Sequence, residues 1–124
     1  MSKRTILRLP IRAVSQNTFW GHTRGGMKYI TQKGRIWRDT IQILVRKALK
    51  KGEAQWHDKD PLQVEYIFYL KTKRKIDTFN MEKPLTDSLQ GLLFVDDEQI
   101  KKGIVSRVYE TKEDRIYISI TTSP

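Results

Sequence analysis

Residues 62–70 read LQVEYIFYL. Leu62, Val64, Tyr66, Phe68 and Leu70 share one parity, while Gln63, Glu65, Ile67 and Tyr69 share the other. Side chains of a strand point alternately to its two faces, so this segment is predicted to be a half-buried strand opened by Pro61. Upstream, Trp37, Ile41, Leu44, Val45 and Ala48 recur at the spacing of one helix face. Thr31 suits its N-cap and Gly52 its stop. Arg46, Lys47, Lys50 and Lys51 load the last turns, where they either sit solvated against the negative end of the dipole or meet phosphates. Downstream, a second helix is predicted over about 80–89. The apolar run Leu92-Leu93-Phe94-Val95 then reads as a short strand tipped by Asp96-Asp97. Residues 104–109 and 115–121 read as two more strands around the polar turn Lys112-Glu113-Asp114, and residues 5–11 as a first strand ended by Pro10. With the short 92–95 run set aside, the order β-α-β-α-β-β predicts an α/β (α+β) fold, a mixed sheet with two helices on one face. Residues 15–29, SQNTFWGHTRGGMKY, mix glycines with aromatics and read as a loop or short irregular hairpin, long enough to be a candidate functional loop.

Composition bounds the rest. A chain of 124 residues with 38% apolar content suits one domain over 1–124 with one modest core. The formal net charge of +10 points to a polyanionic partner, nucleic acid ahead of a membrane surface. No cysteine is present, which excludes disulfides, thiolate zinc sites and thiol chemistry. Two histidines, His22 and His57, are too few for a His-rich metal site, and His57 beside Asp58 reads as a surface residue. No apolar run approaches the roughly 20 residues of a membrane span, and no signal-type apolar block follows the basic start. A cytoplasmic, non-secreted protein is expected, nucleoid-associated if bacterial.

The chemistry concentrates in residues 73–100, KRKIDTFNMEKPLTDSLQGLLFVDDEQI. On a helix, Asn80, Lys83 and Asp87 cluster on one face, while Met81, Leu85, Ser88, Leu89 and Leu92 form a separate, core-bound stripe. Asp77 precedes that helix, and Asp96-Asp97 follow the apolar run. Mg²⁺ takes oxygen ligands and keeps several waters, so one or two carboxylates plus a substrate phosphate suffice to hold it. Asp77, Asp96 and Asp97 are therefore candidate ligands, and Lys83 a candidate stabiliser of phosphate charge. Lys73, Arg74 and Lys75 run directly into Asp77 and are candidate phosphate contacts. Each residue also has an ordinary role open to it: Asp77 as a helix cap, Asp96-Asp97-Glu98 as a turn, Lys83 and Asp87 as a surface ion pair.

The spaced residues Asp77, Asn80, Lys83, Asp87 and Leu89, then Gly91 and Asp96-Asp97-x-Gln99-Ile100, resemble the core motif of the RusA family of Holliday junction resolvases. Leu9-Pro10 with Ser15-x-Asn17, and the stretch from Tyr29 to Arg35, are similar to that family's opening segments. The resemblance implies a Mg²⁺-dependent endonuclease, with Mn²⁺ a possible substitute, that nicks four-way DNA junctions as a homodimer. It implies catalytic roles for Asp77, Lys83 and Asp97, metal ligation by Asp77, Asp96 and Asp97, and substrate binding by Asn17 and Asn80. No organic cofactor and no membrane partner are implied. One departure stands out. The family usually carries a second acid two residues after the first, and this chain has Phe79, which cannot ligate Mg²⁺. Either the site runs on Asp77, Asp97 and a helper such as Asp96, Asp87 or Glu82, or the chain binds junctions or other nucleic acid without cutting them.

Overall fold

A four-stranded sheet organises the chain. The computed structural model describes residues 4–72, 77–109 and 112–122. In chain order the elements are β1 (Arg4–Leu9), α1 (Gln16–Phe19), β2 (Trp20–His22), β3 (Lys28–Ile30), α2 (Gln32–Lys51), β4 (Leu62–Leu70), α3 (Glu82–Leu89), β5 (Ile100–Tyr109) and β6 (Arg115–Thr122). Short 3-10 turns precede α3 at Thr78–Met81 and β5 at Asp97–Gln99. The main sheet runs β1-β6-β4-β5, while β2 and β3 form a separate hairpin. β4 pairs antiparallel with β6 and parallel with β5, so the sheet is mixed, as its element order predicted. The parallel step from β4 to β5 needs a crossover, and α3 lies within it.

The alternation in β4 is realised residue by residue. Leu62, Val64, Tyr66, Phe68 and Leu70 are buried, and the intervening four are half-buried. Leu7 and Leu9 of β1 and Ile116, Ile118 and Ile120 of β6 extend that apolar face. Against it pack Trp37, Ile41, Val45 and Ala48 of α2 and Leu85 and Leu89 of α3. Each fully buried side chain of this size contributes roughly 1.5–3 kcal/mol before chain entropy is charged against it.

α2 has the predicted ends. Thr31 Oγ1 accepts from Gly34 N–H at 2.9 Å, and Gly52 sits in the left-handed region (φ 79°) with its N–H directed at Ala48 and Leu49 carbonyls. α3 is tied to the sheet by a buried hydrogen bond between Tyr66 OH and Thr86 Oγ1, 2.9 Å. Burial, the dominant cause, pushes the Tyr66 phenol far above its ordinary pKa, so it stays a neutral hydrogen-bonding group. Gln42 of α2 also donates to the Ser88 carbonyl at 3.3 Å.

Three expectations are corrected. Leu92–Val95 is not a strand. Gly91 adopts φ 87°, Leu92 and Leu93 N–H both bond the Leu89 carbonyl, and the segment turns while burying Leu93 and Phe94. Four apolar residues fit a buried turn as well as a strand, and the left-handed glycine decides between them. Asp96-Asp97 therefore stand at the start of β5, which begins at Ile100 rather than 104. His57 is not a surface residue. It is 0% exposed, its backbone N–H bonds Leu93 O at 2.7 Å, and its ring nitrogen Nε2 lies 2.9 Å from Thr5 Oγ1. The helix expected over 80–89 opens with the Thr78–Met81 3-10 turn and becomes α-helical from Glu82.

Gly34 tests the junction of α1 and α2. A Cβ there would lie 2.5 Å from the Phe19 carbonyl oxygen and 2.9 Å from Phe19 Cα. Gly34→Ala gains about 1 kcal/mol of helix propensity but must push backbone apart. It is expected to be destabilising by roughly 1–3 kcal/mol in urea unfolding. A variant as stable as the parent would show that the close approach imposes no constraint.

Candidate functional site

Lys83 projects from the first turn of α3, and its ammonium joins two carboxylates. Nζ lies 2.9 Å from Asp97 Oδ2 and 3.2 Å from Asp87 Oδ1. Asp87 is one helical turn further along α3, as the i, i+4 spacing predicted. Asp97 comes from the turn that opens β5, so the pair bridges separate elements. The Lys83 hydrogen bond, followed by Asp96, holds the Asp97 carboxyl below its usual range. The same bond to Asp97 is the main cause that pushes Lys83 upward, against a smaller effect of burial and with help from Asp87. Both partners are thus charged throughout the neutral range.

Asp77 and Asp96 are both caps. Asp77 precedes the Thr78–Met81 turn and accepts from Phe79 N–H at 3.1 Å. Asp96 precedes the Asp97–Gln99 turn and accepts from Glu98 N–H at 3.0 Å. Asn80 lies half-buried in the first of these turns. Phe79 points outward, 69% exposed, and is not a core residue. Asn17 is exposed on α1, which touches both the Thr78–Met81 turn and α3. Lys73, Arg74 and Lys75 lie outside the described residues. The end of β4 that leads to them is anchored by Asp114, which accepts from Lys71 N–H at 2.8 Å and from Arg12 Nη1 at 3.0 Å.

Gln99, quoted in the motif but given no role by the sequence, is the organising residue of this turn. It is nearly buried, and its Oε1 accepts from Val95 N–H at 2.8 Å and Asp96 N–H at 2.9 Å. Its Nε2 donates to the carbonyls of Asp58 and Asp60. Asp96 and Gln99 form a reciprocal capping box, and the D-x-x-Q spacing is its sequence signal. This box fixes the direction from which Asp97 meets Lys83.

The donor set defines which cation it could hold. Among the described residues no three acid or imidazole side chains converge on one metal position, so Asp77, Asp96 and Asp97 make no protein-only cage. Asp77 and Asp97 supply hard oxygen donors, which fit a cation that keeps its own waters and shares a substrate phosphate. The neighbourhood is an acidic island: of the ionisable residues between 77 and 98, Lys83 is the one cation among Asp77, Glu82, Asp87, Asp96, Asp97 and Glu98.

Comparison with known proteins points to one family. The family model described as endodeoxyribonuclease RusA matches residues 10–121. A crossover junction endodeoxyribonuclease rusA from Enterobacteria phage HK97 is 32% identical over 108 residues, covering 86% of this chain and 86% of the phage protein.

Removing the Gln99 amide tests its organising role. Gln99→Leu leaves two partly buried N–H groups and two carbonyls without their partner. It is expected to cost about 2 kcal/mol or more in urea unfolding. A loss below about 0.5 kcal/mol, the level of ordinary surface substitutions, would show that the turn holds itself.

Proposed function

This chain belongs to the RusA family, and we propose that it is a Mg²⁺-dependent endodeoxyribonuclease that resolves four-way DNA junctions in recombination and repair. The observation that carries the reading is Lys83 held between Asp87 and Asp97, beside the Asp77 turn and within the residues that match the family.

Asp77 and Asp97 are the residues that would hold the cation, with Asp96 beside them. Bound there, Mg²⁺ or Mn²⁺ supplies Lewis acidity at a phosphoryl oxygen and an activated water. Lys83 stabilises the negative charge that grows on the phosphate under attack, with Asp87 orienting its ammonium from one helical turn away. Asn80 and Asn17 offer neutral donors to the DNA backbone. Lys73, Arg74 and Lys75, by charge and by their place before Asp77, take flanking phosphates. Resolution needs two nicks in symmetry-related strands, so the working form is a homodimer whose symmetry mirrors the junction. The setting is the cytoplasm, on DNA. The overall charge of +10 supports long-range attraction of the substrate, while the acidic island restricts close phosphate approach to a site carrying a cation.

A second reading, junction binding without cleavage, is favoured by one observation: exposed Phe79 stands beside Asp77 and the described carboxylates form no trio. Incubating a synthetic four-way junction with the protein, with and without Mg²⁺, separates the two. Symmetric nicks that require the metal support the nuclease; shifted, uncut junction supports the second reading. Binding that ignores branching removes both.

The site assignment makes three further expectations. Asp77→Asn, Asp97→Asn and Lys83→Met each lower cleavage by about 100-fold or more while junction binding persists. Normal cleavage by both asparagine variants overturns the assignment. Phe79→Asp adds a carboxylate at an exposed position, so no burial penalty opposes it, and is expected to raise cleavage or lower the Mg²⁺ requirement. Unchanged activity and metal dependence would show that position 79 has no part in ligation. Neutralising Lys73, Arg74 and Lys75 together is expected to flatten the log–log salt dependence of duplex binding by about 0.9 per lost contact. An unaltered slope places the footprint elsewhere.

A further inference from the structure

Charge is segregated along this chain beyond the acidic island. Residues 1–38 contain Lys3, Arg4, Arg8, Arg12, Arg24, Lys28, Lys33, Arg35 and Arg38 and no acid; the first carboxylate is Asp39. At the middle of that segment stands the β2–β3 hairpin, which is outside the main sheet. It grows directly from α1, the element that touches the Asp77 turn and α3. One short helix thus separates the hairpin from the elements that carry Asp77 and Lys83.

The hairpin is closed by hydrogen bonds at its tip and presents an aromatic and basic surface. Its tip is closed by Gly26 N–H to Thr23 O (2.9 Å), Thr23 N–H to Met27 O (2.9 Å) and Met27 N–H to Thr23 Oγ1 (3.1 Å), with Gly26 in the left-handed region at φ 83°. On one face Tyr29 lies across its cross-strand partner Gly21; a Cβ on Gly21 would meet the Tyr29 ring at 2.5 Å. The missing side chain lets the ring lie flat on the ribbon, where it is 48% exposed. On the opposite face Lys28 rests over the Trp20 ring, 4.1 Å from its centroid. Gln16, Asn17, Trp20, His22 and Lys28 there line an open cleft of about 310 Å³. The Trp20 indole N–H is buried and has no hydrogen-bond partner among the described residues.

We propose that the β2–β3 hairpin is a strand-holding finger, stacking one unpaired nucleobase on Tyr29 and taking the neighbouring phosphates on Arg24 and Lys28. An aromatic face accepts any base, so the finger selects unstacked nucleotides rather than sequence. The branch point of a junction offers such nucleotides and an intact duplex does not. The proposal rests on the DNA-binding reading above but not on cleavage or on any metal.

The test compares unmodified protein with Tyr29→Ala, Tyr29→Phe and a double variant, Arg24→Gln with Lys28→Gln. Probes are fluorescein-labelled oligothymidylate, a four-way junction and a linear duplex, read by anisotropy across a salt series. Melting temperatures are measured alongside. Tyr29→Ala is expected to weaken oligothymidylate and junction binding roughly fivefold to 100-fold, with Tyr29→Phe restoring it, since stacking needs the ring and not the hydroxyl. Linear duplex binding changes little in either. The double variant lowers the oligothymidylate salt slope by roughly 0.7 per lost contact. Parental affinity of a folded Tyr29→Ala variant for oligothymidylate and junction overturns the finger. An equal loss on linear duplex overturns it as well, because a platform for unpaired bases has nothing to hold there. A protein that prefers no branched DNA but loses oligothymidylate binding in Tyr29→Ala keeps the finger and rejects the junction reading.

Discussion

The ammonium of Lys83 joins two parts of the chain that secondary structure alone does not connect. It leaves α3 and meets Asp97 at the mouth of β5, 2.9 Å away, with Asp87 at its other side. A half-exposed ion pair contributes at most about 1 kcal/mol, too little to position a helix. The dependence runs the other way. Tyr66 hydrogen-bonds Thr86 in the core and fixes α3 on the sheet, while Gln99 gathers the backbone around Asp96 and fixes the turn. Each anchor satisfies buried polar groups whose loss costs roughly 1–3 kcal/mol. Two neutral, buried hydrogen-bonding residues therefore hold a charged pair in register, and the pair is free to serve a ligand.

That division of labour explains the charge pattern. The chain is strongly cationic overall, yet residues 77–98 hold one lysine and six acids, and two of those acids, Asp87 and Asp97, contact the lysine. Long-range attraction of a polyanion comes from the whole surface, and local repulsion comes from the island. Under the proposed reading, a phosphate enters the island with a cation between it and the carboxylates. The cap roles of Asp77 and Asp96 are compatible with this, because a cap directs one carboxylate oxygen toward backbone N–H groups and holds the side chain still.

Sequence reading located elements where local chemistry was self-sufficient. The alternation of residues 62–70 and the Thr31 and Gly52 ends of α2 match the structure because each depends on neighbours in the chain. It failed where tertiary context decides. Leu92–Val95 has the apolarity of a strand and the path of a turn, and His57 has polar sequence neighbours but lies beneath the sheet edge against Thr5. At the site, the Lys83–Asp87 spacing was legible as helix geometry. The approach of Asp97 was not, since it depends on Gln99 reaching the carbonyls of Asp58 and Asp60 some 40 residues away in sequence. The segment at 15–29 was legible as a loop or short irregular hairpin, and the hairpin is what forms; its register was not legible, because the ring of Tyr29 lying over Gly21 is a cross-strand relation.

The central claim is that a hard cation and a DNA phosphate meet at Asp77, Lys83 and Asp97. Paramagnetic broadening tests it without relying on turnover. Mn²⁺ is titrated into isotopically labelled protein bound to a four-way junction whose scissile linkages resist hydrolysis, and amide line widths are followed residue by residue. Broadening centred on Asp77 and Asp97, reaching Lys83 and weaker without the junction, is the expected result. Broadening centred elsewhere, or sharp signals at 77, 83 and 97 while Mn²⁺ binds, would contradict the account.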